Sequence, residues 1–262
     1  MESIPVLDMK KGQLYYRPLR PGDFAELKAA HLDLFPIDYD DGFFSKAVNG
    51  MARIFSLAAF DITGGCEKLV GFVTARLVPM SEVEKTDRQH MGVFASSWNS
   101  VSAVYILTLG VVPGYQKQGI ATTLIGQLEQ HSANLGARVM FFHVITYNEP
   151  AVRLYTRCHF RCVANLRNFY CIKSGRQPDP RRTRWDGFLF MKWVPMELKV
   201  STGPVMEAIA PIRNAWGTCW PFACRQLFVS PGPPPESSIE PQLQLSQTTT
   251  SIFRRLFGRG RA

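Results

Sequence analysis

The chain has 262 residues, a formal net charge of +9 and 46% hydrophobic residues, enough apolar content for a sizeable core. That length suits one domain of about 200 residues with an appendage rather than two equal domains. Its six cysteines form no Cys-x-x-Cys pair and its histidines show no ligand spacing, so no metal is expected; in a reducing compartment Cys66, Cys158, Cys162 and Cys171 default to buried or inert thiols.

The N-terminus, Met1-Glu2-Ser3-Ile4-Pro5, lacks the basic-then-apolar layout of a signal peptide, which predicts that the main domain stays in the cytosol. Leu14 to Leu19 reads as a first strand. Asp23-x-x-Glu26 spells a capping box for a helix that carries Phe24, Leu27 and Leu34 on one face. Phe35 to Tyr39 reads as a loop, and Phe43, Phe44, Ala47 and Val48 mark a second short helix. Strands from Ile54 to Phe60 and from Leu69 to Val78 follow, joined by a turn containing Gly64-Gly65. Residues 79–102 are polar and unpatterned, which predicts a surface excursion.

Next an apolar strand, Val104 to Val112, runs into Pro113-Gly114-Tyr115-Gln116-Lys117-Gln118-Gly119-Ile120-Ala121. Strict alternation puts Tyr105, Leu107 and Leu109 on one side and Ile106, Thr108 and Gly110 on the other. Beyond the turn, Ile120, Leu124 and Leu128 follow helical spacing and Gly136 marks the stop. The first backbone N–H groups of such a helix have no intrahelical partner and its dipole makes that end positive, which suits a pyrophosphate. By itself the turn fits equally an ordinary strand-to-helix connection. It is no Rossmann fingerprint, having only Gly119, and no P-loop, lacking Gly-Lys-Ser/Thr. A further apolar strand, Val139 to Val144, ends in Thr146-Tyr147-Asn148-Glu149-Pro150-Ala151. There Asn148 reads as a helix cap, Pro150 sits where a missing N–H costs nothing, and Asn148 and Tyr155 share a helix face. Strands at about 160–172 and 187–194 close the domain. The whole reads as an α/β fold with a mixed sheet, not a doubly wound one.

Gln-x-x-Gly-Ile-Ala at the turn and Asn-x-x-Ala-x-x-x-Tyr after the next strand resemble the two halves of the acyl-CoA signature of the GNAT N-acyltransferase superfamily. Phe35-Pro36-Ile37-Asp38-Tyr39, Tyr105-Ile106-Leu107-Thr108-Leu109-Gly110-Val111 and His143-Val144-Ile145-Thr146 further resemble its NatF-type N-alpha-acetyltransferases, over about residues 13–194. The chain departs from that branch at Gln116 (often Arg), at Asp38 (Glu) and at Phe169, where a Tyr would carry a hydroxyl. The resemblance implies a GNAT fold whose central sheet splays between the strands of Tyr105 and His143, with acetyl-CoA threaded into the gap. It implies a cofactor site of Leu109, Gly110, Val111, Lys117, Gln118, Gly119, Ile120, Ala121, Thr122, Asn148, Tyr155, Thr156, Arg157 and Cys158. It makes Tyr105 and His143 the catalytic, proton-handling pair. His143 is the better base, with an unperturbed pKa of about 6.5 against about 10 for tyrosine. Read without the resemblance, His143 is a core histidine at a strand end. Phe35, Ile37, Tyr39, Leu107, Phe169 and Tyr170 would form an apolar acceptor mouth suited to an initiator methionine. The implied reaction is acetylation of the α-amine of Met-starting proteins, membrane proteins with cytosolic N-termini among them. The alternatives are a lysine (histone) acetyltransferase and a CoA-binding adaptor without catalysis.

The basic cluster Lys173, Arg176, Arg181, Arg182 and Arg184 lies in a Pro/Gly-containing hairpin loop without aromatic interleaving. It argues against a nucleic-acid partner, while a mildly positive field helps the phosphates of CoA arrive. The domain is therefore set at 1–199, and 200–262 is a tail. There Trp216, Trp220, Phe222, Leu227 and Phe228 crowd around Arg213 and Arg225, a Pro-rich linker follows, and Phe253, Leu256 and Phe257 alternate with Arg254, Arg255, Arg259 and Arg261. No stretch reaches the ~20 apolar residues needed to span a bilayer. Aromatics beside arginines suit an amphipathic segment in the headgroup layer, and each Arg gains ~1 kcal/mol near anionic lipid. The other reading packs the first segment back on the domain. The resemblance implies the cytosolic face of Golgi or plasma membrane. Homodimerisation and acylation of Cys219 and Cys224 are left open by the sequence.

Overall fold

The computed structural model describes residues 13–63, 65–93 and 101–195, so Gly64, the domain boundary at 199 and the whole tail fall outside the described residues. The described elements in chain order are β1 (Leu14–Arg17), a 3₁₀ turn (Pro21–Asp23), α1 (Phe24–Leu34), α2 (Asp41–Asn49), β2 (Ile54–Asp61), β3 (Lys68–Pro79), a 3₁₀ turn (Met80–Glu82) and α3 (Lys85–His90). They continue with β4 (Ser102–Val111), α4 (Ile120–Asn134), β5 (Ala137–Ile145), α5 (Glu149–Arg157), β6 (Arg161–Cys171) and β7 (Arg184–Trp193). The seven strands form one sheet in the order β1-β2-β3-β4-β5-β7-β6. β4 and β5 run parallel and the other neighbours antiparallel, so the sheet is mixed as expected.

Helices cover both faces, which is why β2, β3 and β5 are nearly continuous apolar runs rather than alternating ones. On one face Ile120, Leu124, Ile125 and Leu128 of α4 pack on Val73, Val104, Ile106, Met140 and Phe142. On the other, Leu27, Phe43, Phe44 and Val48 of α1 and α2 lie over Ile54, Ala58, Phe60 and Phe72. A third cluster sets Met80, Val83 and Met91 against Phe141, Leu189 and Met191. Residues 79–93 are thus no surface excursion. The apolar side chains are spaced too widely to show a period, yet Met80 is wholly buried and a helix lies between Val83 and Met91.

Two local expectations are corrected. Asp23 makes no capping bond to α1, because its carboxylate grips Arg17 at 2.7 Å while Glu26 accepts from the Leu69 N–H. Buried Arg17 takes a stronger, charge-assisted bond than a cap would give, and Glu67 and the Phe60 ring complete its surroundings. The second correction concerns β4. Thr74 faces Thr108 but Ala75 faces Ile106, so Leu107 is an extra residue, a β-bulge. The bulge resets the alternation: Leu109 and Val111 pack with α4, and Gly110 turns toward α1. A Cβ at Gly110 would sit 2.8 Å from Leu34 Cδ1 and 3.0 Å from the Phe72 ring, so only glycine lets α1 come this close.

Candidate functional site

β4 and β5 pair only from Ser102↔Ala137 to Tyr105↔Phe141, although both strands run on to Val111 and Ile145. Beyond Tyr105 the two strands separate. A cleft of about 790 Å³ on the α4 side of this gap is lined by Leu109, Gly110, Val111, Lys117, Gly119, Ile120, Ala121, Thr122, Tyr155, Arg157 and Cys158. Tyr115, Gln116, Pro150, Ala151, Arg153 and Leu154 also line it and were missed by the sequence reading. Gln118, Asn148 and Thr156, named from sequence, do not line this cleft: the side chains of Gln118 and Thr156 bond back to the Gly114 and Val152 carbonyls, and Asn148 lines the neighbouring cavity described below.

Gly119, at φ +84°, caps α4 in the left-handed conformation that glycine adopts without strain, and Lys117 at φ +62° bends the turn before it. The free amides of α4 therefore open toward Lys117, Arg153 and Arg157, a donor set fit for phosphates. Asn148 caps α5, accepting from the Ala151 N–H at 3.3 Å, and buried Tyr155 packs on Phe142. These residues fit a nucleotide-bearing thioester: cations and amides at one end, a narrow apolar slot between strands at the other. Among the described residues no group of three or more His, Cys, Asp or Glu is arranged for a metal ion. The four described cysteines are free, with Cys66, Cys162 and Cys171 exposed rather than buried. Partial burial pushes the thiol of Cys158 up, away from reactivity.

At the point of separation the Tyr105 hydroxyl lies 3.0 Å from His143 Nδ1. Burial, with Asp87 and Tyr39 nearby, holds the Tyr105 proton well above the ordinary tyrosine range. Tyrosine is then the donor and Nδ1 the acceptor, which assigns the His143 proton to Nε2. That nitrogen faces Asp87 Oδ2 at 3.4 Å, with the side chains 2% and 4% exposed. Asp87 is the candidate site residue that sequence reasoning missed. It comes from α3, within the stretch read as an excursion, and only its place among Lys85, Thr86 and Arg88 is visible in the sequence. A cavity of about 400 Å³ lined by Ser81, Glu82, Glu84, Asp87, Tyr105 and His143 lies behind the pair.

On its other side the pair faces a second cavity of about 260 Å³, lined by all six predicted acceptor residues, Phe35, Ile37, Tyr39, Leu107, Phe169 and Tyr170, and by Leu34, Pro36, Asn148 and Ile172. Ser174 Oγ donates to the Pro36 carbonyl at 2.5 Å, and Arg176 donates to the Leu32 carbonyl and Asp38. The β6–β7 hairpin is thereby clasped to the α1–α2 loop across the mouth.

The sequence profile described as the Acetyltransferase (GNAT) family matches residues 25–160. Histone acetyltransferase MCC1 of Arabidopsis thaliana is 38% identical over 185 residues, 69% of this chain and 70% of the relative. N-alpha-acetyltransferase 60 of Xenopus tropicalis is 32% identical over 156 residues, 58% of this chain and 61% of the relative. Among solved structures, Arabidopsis thaliana NAA60 in complex with a bisubstrate analogue superposes with a TM-score of 0.61 at 38% identity, covering 71% of this chain and 100% of that one. The same protein in complex with acetyl-CoA gives 0.61 at 40% identity, covering 70% and 99%.

Proposed function

This chain belongs to the acetyltransferase (GNAT) family, and from that membership we propose that it transfers the acetyl group of acetyl-CoA to the α-amino group of proteins that begin with methionine. The observation that carries the reading is the Tyr105–His143–Asp87 array set between a phosphate-competent cleft and an apolar mouth. Acetyl-CoA would lie along Leu109, Gly110 and Val111 with its phosphates at Lys117–Thr122, and it supplies the activated thioester. Everything else is the work of the protein. The mouth seats an apolar first side chain and holds the amine beside Tyr105. As the amine nitrogen bonds to the acetyl carbon and the bond from that carbon to the CoA sulfur breaks, the amine would give its proton toward the Tyr105 oxygen while the Tyr105 hydroxyl proton passes to His143 Nδ1, and the departing thiolate would take up a proton to leave as free CoA. Asp87 then faces the imidazolium formed, as a carboxylate supports the histidine of a hydrolytic triad.

Proton affinity supports the α-amine as acceptor. An α-amine of pKa ~8 is about 10% free base at neutral pH, against well under 0.1% for a lysine near 10.4. A second reading, lysine acetylation, draws on the similarity to a relative named a histone acetyltransferase. The two separate in one assay: Met-Leu and Met-Lys peptides with free N-termini should turn over, and an N-blocked histone peptide should not. Turnover of the blocked peptide at an equal or greater rate would replace the first reading with the second. The tail supports a peripheral place on the cytosolic face of Golgi or plasma membrane, where membrane proteins with cytosolic N-termini would be the substrates. Its arginines interleaved with aromatics favour an anionic lipid surface.

A further inference from the structure

The β6–β7 ladder is broken at one place. Leu166 pairs with Gly187 and Tyr170 with Trp185, so residues 167–169 stand opposite Asp186 alone. Within this bulge Asn168 adopts φ +54°, a left-handed conformation that asparagine tolerates better than most residues. Its N–H, lost to the ladder, is donated to Asp186 Oδ1 at 2.8 Å. On the inner side Gly187 leaves the room that is needed: a Cβ there would lie 3.1 Å from both Phe169 Cδ1 and Tyr170 Cε2. The result is that Phe169, 9% exposed, lays its ring flat on the imidazole of His143, with centroids 4.2 Å apart and planes 18° from parallel.

An imidazole turns about a broad, roughly two-fold torsion, and a half turn exchanges its nitrogens for carbons. His143 has one hydrogen bond at Nδ1 and a 3.4 Å contact at Nε2 that falls short of one. Those two contacts leave the ring plane loosely held. A stacked aromatic face removes that freedom, because rotation would drive the imidazole edge into the phenyl ring. The Phe169 ring carries no hydroxyl with which to hold a peptide backbone, and what it brings to His143 is a stacked face.

We infer that Phe169, aimed by the Asn168–Asp186 bulge, is a positioning residue of the acetyl transfer: its ring fixes the plane of His143 so that Nδ1 meets Tyr105 while Nε2 meets Asp87. The inference rests on the reading that Tyr105 and His143 move the amine's proton.

Steady-state kinetics on the full chain test it. Phe169→Leu should lower kcat about tenfold, since small misplacements at a reacting centre cost up to ~10²-fold, with the KM values for acetyl-CoA and peptide unchanged. Phe169→Tyr keeps the stacked ring and should recover most of the kcat that Phe169→Leu loses. Asp186→Ala, which removes the acceptor of the Asn168 N–H without touching the site, should show the same kcat loss. Asp186→Asn, which keeps a carbonyl acceptor, should restore it. The double variant Phe169→Leu/Asp186→Ala should be no slower than Phe169→Leu alone. A loss that appears as a raised peptide KM with kcat intact makes Phe169 merely a wall of the mouth and overturns the proposal, as does an unchanged kcat. If Phe169→Leu fails to fold, the Asp186 pair still decides. His143→Ala is the control: turnover equal to the parent would sink the proton-transfer reading itself, a failure distinct from that of Phe169.

Discussion

Asp87 reaches His143 from a helix of only six residues, and nothing in its own neighbourhood announces it. Tyr105 and His143 were legible because each lies in a long apolar strand whose flanking residues match a known pattern. Asp87 lies among Lys85, Thr86 and Arg88, where a carboxylate reads as one more solvated charge. Its role exists only once β3 has delivered the chain over the end of the sheet and Met80, Val83 and Met91 have pinned α3 down. Asp87→Asn keeps the shape and removes the charge, so support for the imidazolium is lost while the fold is kept. Turnover should fall about tenfold to a hundredfold, with acetyl-CoA affinity from calorimetry unchanged. An undiminished kcat would show that the carboxylate does not serve the imidazolium. Gln118 and Thr156 make the reverse point: both sit within the motifs read from the sequence, yet the hydrogen bonds that shape the turn and the helix take their side chains out of the cleft.

Helices and strands were the most readable level. α4, β5 and α5 appear where the periodicity puts them, because caps and stops (Gly119, Gly136, Asn148) are local chemistry. The β4 bulge and the fate of Asp23 were not readable: the bulge depends on β3, far along the chain, and Asp23 is claimed by its near neighbour Arg17, which the distant Glu67 and Phe60 hold in place. α4 also carries a consequence for acid stability. His131 lies 4% exposed against the Phe55 ring with neither ring nitrogen hydrogen-bonded, and burial pulls its pKa down to about 4. Its folded-state pKa is below its unfolded one, so the unfolded chain binds the proton first and stability falls as pH drops from about 6.5 toward 4. The loss reaches about 3 kcal/mol at pH 4 for this residue. His131→Leu removes that proton acceptor. Denaturant unfolding at pH 7.5 and at pH 4 should show the variant losing about 3 kcal/mol less than the parent between the two. Equal losses would place the acid sensitivity in other groups, of which His31, also drawn down to about 4 by burial, is the next to test.

Over the whole molecule, the fold class followed from two motifs at the right separation rather than from composition, while the strand order came only from the structure. The positive charge is shared between the basic hairpin beside the mouth and the tail, and among the described residues no helix is long and apolar enough to cross a bilayer. On the proposal that the tail holds the protein to a membrane surface, removing residues 200–262 should leave peptide acetylation intact while moving the protein from the membrane pellet to the supernatant of fractionated cells. A truncated chain that still pellets would place the attachment on the described domain, with the exposed cations Lys173, Arg181 and Arg184 as the surface to examine. The parting of β4 and β5 has one more effect. Unpaired strand edges ordinarily invite a neighbouring chain to add on, and proteins guard against this with charges or bulges. Here the two open ladders look at each other across an interior slit, where no second folded copy can reach them. Unlike the outer edges of β1 and β6, this pair of open edges has room between them only for something as slender as an extended chain.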